Sequence, residues 1–169
     1  DAQVLAILQE GEIKLQSRLP YSSNNAFLVE VQCEEETRLA IYKPARGERP
    51  LWDFDTGTLV QREVAAYQVS RWLGFPNIPP TVLREGPYGI GAVQLFIELV
   101  EDQHYFTLRA AHRAELMRVA VFDALVNNTD RKGGHILIDP AGKIWCIDHG
   151  VTFHEDYKLR TVIWDYVDQ

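Results

Sequence analysis

Cysteine is scarce in this sequence: it has Cys33 and Cys146 and no others, far apart along the chain. Two distant cysteines cannot make the disulfide framework of a small secreted domain, and neither sits in a paired zinc-type spacing. Both fall in strand-like segments, where a buried, reduced thiol in a cytoplasmic setting is the plain expectation. No apolar run reaches the length of a bilayer span, and no charged-then-apolar leader opens the chain. Positive charge is also in deficit. With 17 Lys and Arg against 24 Asp and Glu, the formal net charge is -7, which argues against a nucleic-acid binder that reads phosphates by bulk charge. A local basic pocket is still compatible with that balance. Internal repeats and low-complexity tracts are missing too. The chain begins at Asp1 without a Met, as a trimmed or partial chain would.

What is present is ordinary globular material. At 169 residues, 46% hydrophobic and 24% charged, the chain makes one domain with a real core, large enough for two small lobes. Residues 2–9 read as a short amphipathic helix ended by Gly11, and 12–18 and 27–33 alternate as strands. The polar turn between those strands contains Ser22, Ser23 and Asn24. Two readings stand for it: a cover for a phosphate through backbone N–H groups and hydroxyls, or a simple chain reversal. Glu34-Glu35-Glu36 is a solvated turn. The third strand, 38–44, places Leu39, Ile41 and Lys43 on one face and Ala40 and Tyr42 on the other.

A lysine continuing an apolar face is unusual. Either it snorkels to water, or it is a cation aimed at an anionic ligand. The helix over 57–73, with Val60, Val64 and Tyr67 facing the core, carries Glu63 at the edge of that stripe. A carboxylate drawn towards a core wants a partner, and Lys43 is the obvious one; the alternative is a solvated helix glutamate. Strands follow at 81–84 and 90–99, the second nearly all apolar over 91–97. Residues 98–103 are a polar connector, and a helix runs over roughly 108–127.

The stretch that organises the chain comes next: Asn127-Asn128-Thr129-Asp130-Arg131-Lys132-Gly133-Gly134-His135. Its polar and glycine residues end a buried helix and make a loop. A hairpin with Asp139-Pro140-Ala141-Gly142 as its turn follows. With those four residues as the loop, Ile138 opposes Lys143 and His135 opposes Cys146. Alternation then sends Asp148 to the face of His135. A histidine, a carboxylate and the nearby Asp130 suit a divalent metal with a general base beside it. Asp123 reads as an acceptor for the loop or as a surface residue; Arg131 and Lys132 pair either with a phosphate or with solvent, and a structural role is the other reading of Arg131. His104, His112, His149 and His154 show no metal-ligand spacing. The aromatic tail with Phe153, Tyr157, Trp164 and Tyr166 suggests packing.

This order of parts resembles the protein-kinase-like plan. In detail it is similar to the phosphatidylinositol 3-/4-kinase branch and its bacterial, HipA-like relatives, and to a family of Actinobacteria and Chloroflexi distantly related to those kinases. The branch has an Asp-Arg-His-x-x-Asn loop and a later Asp-x-Gly; here they read Asp130-Arg131-Lys132-Gly133-Gly134-His135 and Asp148-His149-Gly150. The resemblance implies an α+β, compact two-lobed kinase-like fold. Its N-lobe (1–99) would be an antiparallel sheet plus helix, and its C-lobe (100–169) reduced and helical with a catalytic-loop hairpin.

It implies an ATP-dependent phosphotransferase acting on a hydroxyl of a protein or small molecule, in the cytoplasm. Lys43 would contact the phosphates, oriented by Glu63. The turn Ser22-Ser23-Asn24 would cover them, and the main chain of Phe96, Ile97 and Glu98 would meet adenine. Asp130 would accept or orient the substrate proton, and Asp148 would hold Mg²⁺. His135 stands where the branch has its metal-binding Asn; with Asp148 it is expected to hold the metal and to favour Mn²⁺, the alternatives being binding through water or a plain hydrogen-bonding role. Few residues remain after Gly150, so a protein partner completing the C-lobe is one expectation. A nucleotide-binding pseudokinase and an AMP-transferring enzyme are the other readings.

Overall fold

The computed structural model describes residues 2–20 and 25–166. The chain divides into two compact units, Asp1–Ala65 with Pro80–Phe96, and Ala66–Pro79 with Ile97–Gln169. The fold is α+β.

The first unit is built on a five-stranded sheet. Helix α1 (Ala2–Glu10) leads through Gly11 into strands β1 (Glu12–Arg18), β2 (Phe27–Cys33) and β3 (Glu36–Pro44). Helix α2 (Leu59–Leu73) begins in this unit, and β4 (Thr81–Gly86) and β5 (Gly89–Leu95) complete the sheet. The strand order is β1-β2-β3-β5-β4, and every neighbouring pair is antiparallel. Register decides which face is core. Val29 lies opposite Ala40, Tyr42 opposite Val93, and Val82 opposite Val93. These residues form one apolar surface with Ile7 and Leu8 of α1. Arg84 secures the helix by donating from Nη1 to the carbonyls of Leu8 (3.0 Å) and Gly11 (2.7 Å), two groups that a helix end leaves without intrahelical donors.

Several boundaries differ from the sequence expectation. Glu36 belongs to β3, so the reversal is Glu34-Glu35, with Glu34 at φ 55°. Helix α2 starts at Leu59 and not at Gly57. The strand expected over 90–99 stops at Leu95, because Thr81 pairs with Gln94 and the next partner residue is Pro80, which has no N–H to give. Phe96 still donates to Leu39 O at 3.0 Å, and residues 96–99 then leave the sheet.

The second unit contains the end of α2, a single-turn helix α3 (Tyr105–Leu108), α4 (Arg113–Leu125), and the hairpin β6 (Ile136–Ile138) and β7 (Ile144–Cys146). The helix expected over 108–127 is shorter, Arg113–Leu125, because its N-cap His112 is outside helical geometry at φ -116°, ψ 36°; the single turn α3 precedes it. Leu116, Val119, Phe122 and Asp123 are the buried stripe of α4. Among the described residues, no helix is long and apolar enough to cross a membrane.

The hairpin register is one residue away from expectation: Ile136 opposes Cys146 and Ile138 opposes Ile144. Asp139 is the reason. Its Oδ1 accepts the N–H groups of Ala141 and Lys143 at 3.0 and 2.9 Å, which draws Lys143 into the loop. The tail packs less than its aromatics suggest. Tyr166 is buried, but Tyr157 and Trp164 are 72% and 57% exposed.

Candidate functional site

In the first unit, the sheet face away from α1 carries Lys43. Alternation puts Leu28, Ile41 and Lys43 on it, all half-buried, with Ala92 directly across from Lys43. The lysine therefore does not continue the core face; it ends the open one. Its Nζ lies 3.4 Å from Glu63 Oε2, and the two side chains are 20% and 5% exposed. Glu63 is not at the edge of the α2 stripe. It sits inside the buried set Leu59, Val60, Glu63, Ala66 and Tyr67, while Val64 is half-exposed. A carboxylate in that position needs a cation or donors, and the strand supplies the cation.

Two further features hold this pair in place. Gly91 pairs with Pro44, and a Cβ there would stand 2.5 Å from Lys43 O, so the close approach of β5 to the lysine's backbone requires glycine. Buried Glu48 accepts the N–H groups of Gly57 (2.7 Å) and Val60 (2.9 Å) and so caps α2. Sequence reading missed Glu48, since a glutamate in a loop rich in Gly, Pro and charge gives no sign of burial. Ser22, Ser23 and Asn24 lie outside the described residues. Of the expected base-contacting segment, Phe96 and Glu98 are exposed and Ile97 is half-buried.

In the second unit, the loop after α4 is organised from beneath. Asp123 is fully buried and receives Arg131 through two bonds of 2.8 Å, from Nε and Nη2, and Asn128 Nδ2 at 3.0 Å. Arg131 also donates to Ile147 O at 2.9 Å. Its Nη2 is 2.7 Å from His149 Nε2; a guanidinium only donates, so that nitrogen accepts. Burial pulls the Arg131 pKa down, but the Asp123 carboxylate outweighs it and raises the value. Asn128 Oδ1 accepts Asp130 N–H at 3.0 Å. The irregular chain beyond is stitched to the same loop: Thr129 and Arg131 donate N–H groups to Val151 O and Arg160 O, each at 3.0 Å.

On this base stand the exposed groups. Asp130 is 39% exposed, with Lys132 Nζ 3.0 Å from its Oδ2. His135 Nε2 is 3.3 Å from Asp148 Oδ2. The two converge despite the shifted register because His135 ends a 3₁₀ turn, Gly133–His135, and Ile147 N–H bonds His135 O at 3.0 Å. Burial lowers the His135 pKa against the opposing pull of Asp148. Asp148 holds a left-handed backbone at φ 60°. Among the described residues no group of three or more His, Cys, Asp and Glu could hold a metal ion.

Comparison with known proteins gives this geometry a context. No protein-family model matches the chain. Protein Rv2133c of Mycobacterium tuberculosis is 38% identical over 95% of this chain and 70% of its own length. The chain belongs to the family of Rv2133c. Two proteins described as phosphatidylinositol 4-kinase gamma 4, from Oryza sativa and Arabidopsis thaliana, are each 31% identical over 64% of this chain. The aligned part is 22% and 24% of those proteins, so this member of the Rv2133c family matches less than a quarter of either. Among solved structures, the Helicobacter pylori proinflammatory kinase CtkA superposes with a TM-score of 0.56 at 17% identity, over 86% of this chain and 58% of that one. The fold is therefore kinase-like.

Proposed function

We infer that this chain is an ATP-dependent phosphotransferase of the phosphatidylinositol 3-/4-kinase-like branch, with HipA-like relatives, transferring the γ-phosphate to a hydroxyl of a protein or small molecule. The observation that carries the reading is the Lys43–Glu63 pair on the open sheet face. A lysine there, held by a carboxylate and reached past half-buried Leu28 and Ile41, suits a ligand with a flat apolar part and an anionic part. Lys43 neutralises phosphate charge, and Glu63 fixes its direction. Phe96 N–H is committed to Leu39 O, which leaves the main chain of Ile97 and Glu98 to meet a base. Asp130, carried on the Asn128 side chain, accepts or orients the substrate proton.

Asp148 fits a Mg²⁺ or Mn²⁺ role, since it is a hard-oxygen donor whose side chain is 44% exposed. A cation bound with the nucleotide keeps few protein ligands, and its chemistry is to neutralise phosphate charge. A cytoplasmic location, where ATP is abundant, is part of the same proposal. A protein partner completing the second unit belongs to the same proposal.

The Asp130–Lys132 contact favours a second reading, a nucleotide-binding pseudokinase, because it occupies the base. Transfer of AMP is the third. The experiment is nucleotide binding and turnover with Mg²⁺ or Mn²⁺. Asp148→Asn is expected to abolish metal-dependent affinity, and Asp130→Asn to spare binding and remove turnover. Equal loss of affinity in both variants contradicts the roles, binding without turnover in the native chain supports the pseudokinase, and the mass of the modified product separates phosphate from AMP.

A further inference from the structure

We propose that the turn joining β4 to β5 is the floor of a docking site for an extended segment of a partner protein, one that carries an aromatic or branched apolar residue beside an acidic one. The proposal does not rest on the phosphotransferase reading and uses none of its residues.

The site is an open recess of about 420 Å³ lined by Ala45, Arg46, Pro87, Tyr88, Gly89 and Ile90. Apart from Arg46 the lining is apolar, aromatic or glycine, and Arg46 is exposed. Tyr88 and Ile90 are 45% and 44% exposed. A mostly apolar concavity with one placed charge has the composition of a ligand site. Gly89 contributes by having no side chain. Its φ of 93° calls for glycine, and a Cβ there would meet nothing within 4 Å.

This exposed turn is fixed from beneath. Tyr42, at 0% exposure, accepts the Tyr88 N–H at 3.1 Å and donates its hydroxyl to Gly89 O at 2.5 Å. A Cβ on Gly86 or Gly91 would stand 2.7 or 2.6 Å from the Tyr42 ring, so both positions need glycine to admit that ring. Phe27 supports the Tyr88 ring, with centroids 4.9 Å apart. An exposed ring already held in this way loses little freedom when something binds it, and that is how rigid aromatic anchors contribute at interfaces. Tyr and Arg are also the residue types that carry binding energy there. Tyr42 lies on the sheet face that meets α1, so a partner seated here leaves the Lys43 face open.

Charge and shape choose the occupant. A guanidinium pairs with a carboxylate through two parallel hydrogen bonds, and the apolar lining suits the residue beside that carboxylate. The recess is open, so a small free acid would stay largely in water. A peptide gains more. β4 is an edge strand of the sheet, and an extended segment can pair along it while one side chain enters the recess.

The test is a titration of the full ¹⁵N-labelled chain with the capped peptide Ser-Ser-Phe-Glu-Ser, read as amide shifts. Saturable shifts confined to Arg46, Tyr88, Gly89, Ile90 and β4 are expected. Arg46→Gln should weaken the peptide about tenfold, the worth of one charge-assisted hydrogen bond. Ile90→Ser should weaken it as well, and neither side chain is buried, so both variants keep the fold. The same peptide with Lys in place of Glu should also lose about tenfold. The proposal is overturned if no shift saturates by about 10 mM peptide, or if affinity is unchanged in Arg46→Gln or with the Lys peptide. It is also overturned if phenylacetate binds as tightly as the peptide, which makes the recess a site for small acids.

Discussion

Two of the acid–base pairs in the molecule have opposite character. Lys43–Glu63 in the first unit has a contact of 3.4 Å, with the lysine 20% exposed. Asp123–Arg131 in the second is bidentate at 2.8 Å, and both side chains are 0% exposed. A half-open pair leaves its cation within reach of solvent and solutes. A closed pair does not, and breaking it strands a charge in low dielectric. The first leaves its cation half-open, and the second holds the loop that carries Asp130 and the strand end that carries Asp148.

The largest effect should come from breaking the closed pair. Arg131→Met is expected to cost about 3–5 kcal/mol of stability, as removal of one buried partner does. Denaturant midpoints measure it, and the double change Asp123→Leu with Arg131→Met should recover a large part. A single-variant loss below about 1 kcal/mol, in the range of exposed ion pairs, would remove the distinction between the two pairs.

The open pair should behave in the opposite way. Lys43→Ala is expected to weaken ATP binding about tenfold or more, a change worth about 1.4 kcal/mol per decade, with the unfolding midpoint nearly unmoved. A large stability loss with unchanged nucleotide affinity would make Lys43 a structural residue. Glu48→Ala, which uncaps α2 beneath the same pair, should cost about 1–2 kcal/mol, read as a lower thermal midpoint.

The thiols extend the comparison. Burial pushes the Cys146 thiol up to about 12, and Cys33 is half-buried at the end of β2. Alkylation of the native protein should therefore modify Cys33 and spare Cys146 until unfolding. The smallest effect is at Asp139, whose carboxyl is held below its usual range by Trp145 Nε1–H and the Lys143 N–H. Its contribution is present above the unfolded pKa and lost as pH falls through the folded one. Stability curves of the native chain and Asp139→Asn should converge at acid pH and separate modestly above it.

Much of the frame was legible in the sequence. Period-two alternation set the limits of β1 and β2 and the face of Lys43, and period 3.6 brought Glu63 towards it, because these signals are local and repeat every few residues. The polar loop after α4 was legible too, but the meeting of His135 with Asp148 was expected from a hairpin register that the structure does not have, and it comes from the 3₁₀ turn instead. A side chain, Asp139, captured two N–H groups and lengthened the loop, and alternation says nothing about that.

Tertiary structure alone decided the rest. Asp123 reads equally well as surface or core, and only the packing of α4 against the loop buries it opposite Arg131 and beside His149. Glu48 became a cap because folding brought a distant helix start to its carboxylate. Each depends on which groups lose water together, a property of neighbours in space that no spacing along the chain encodes.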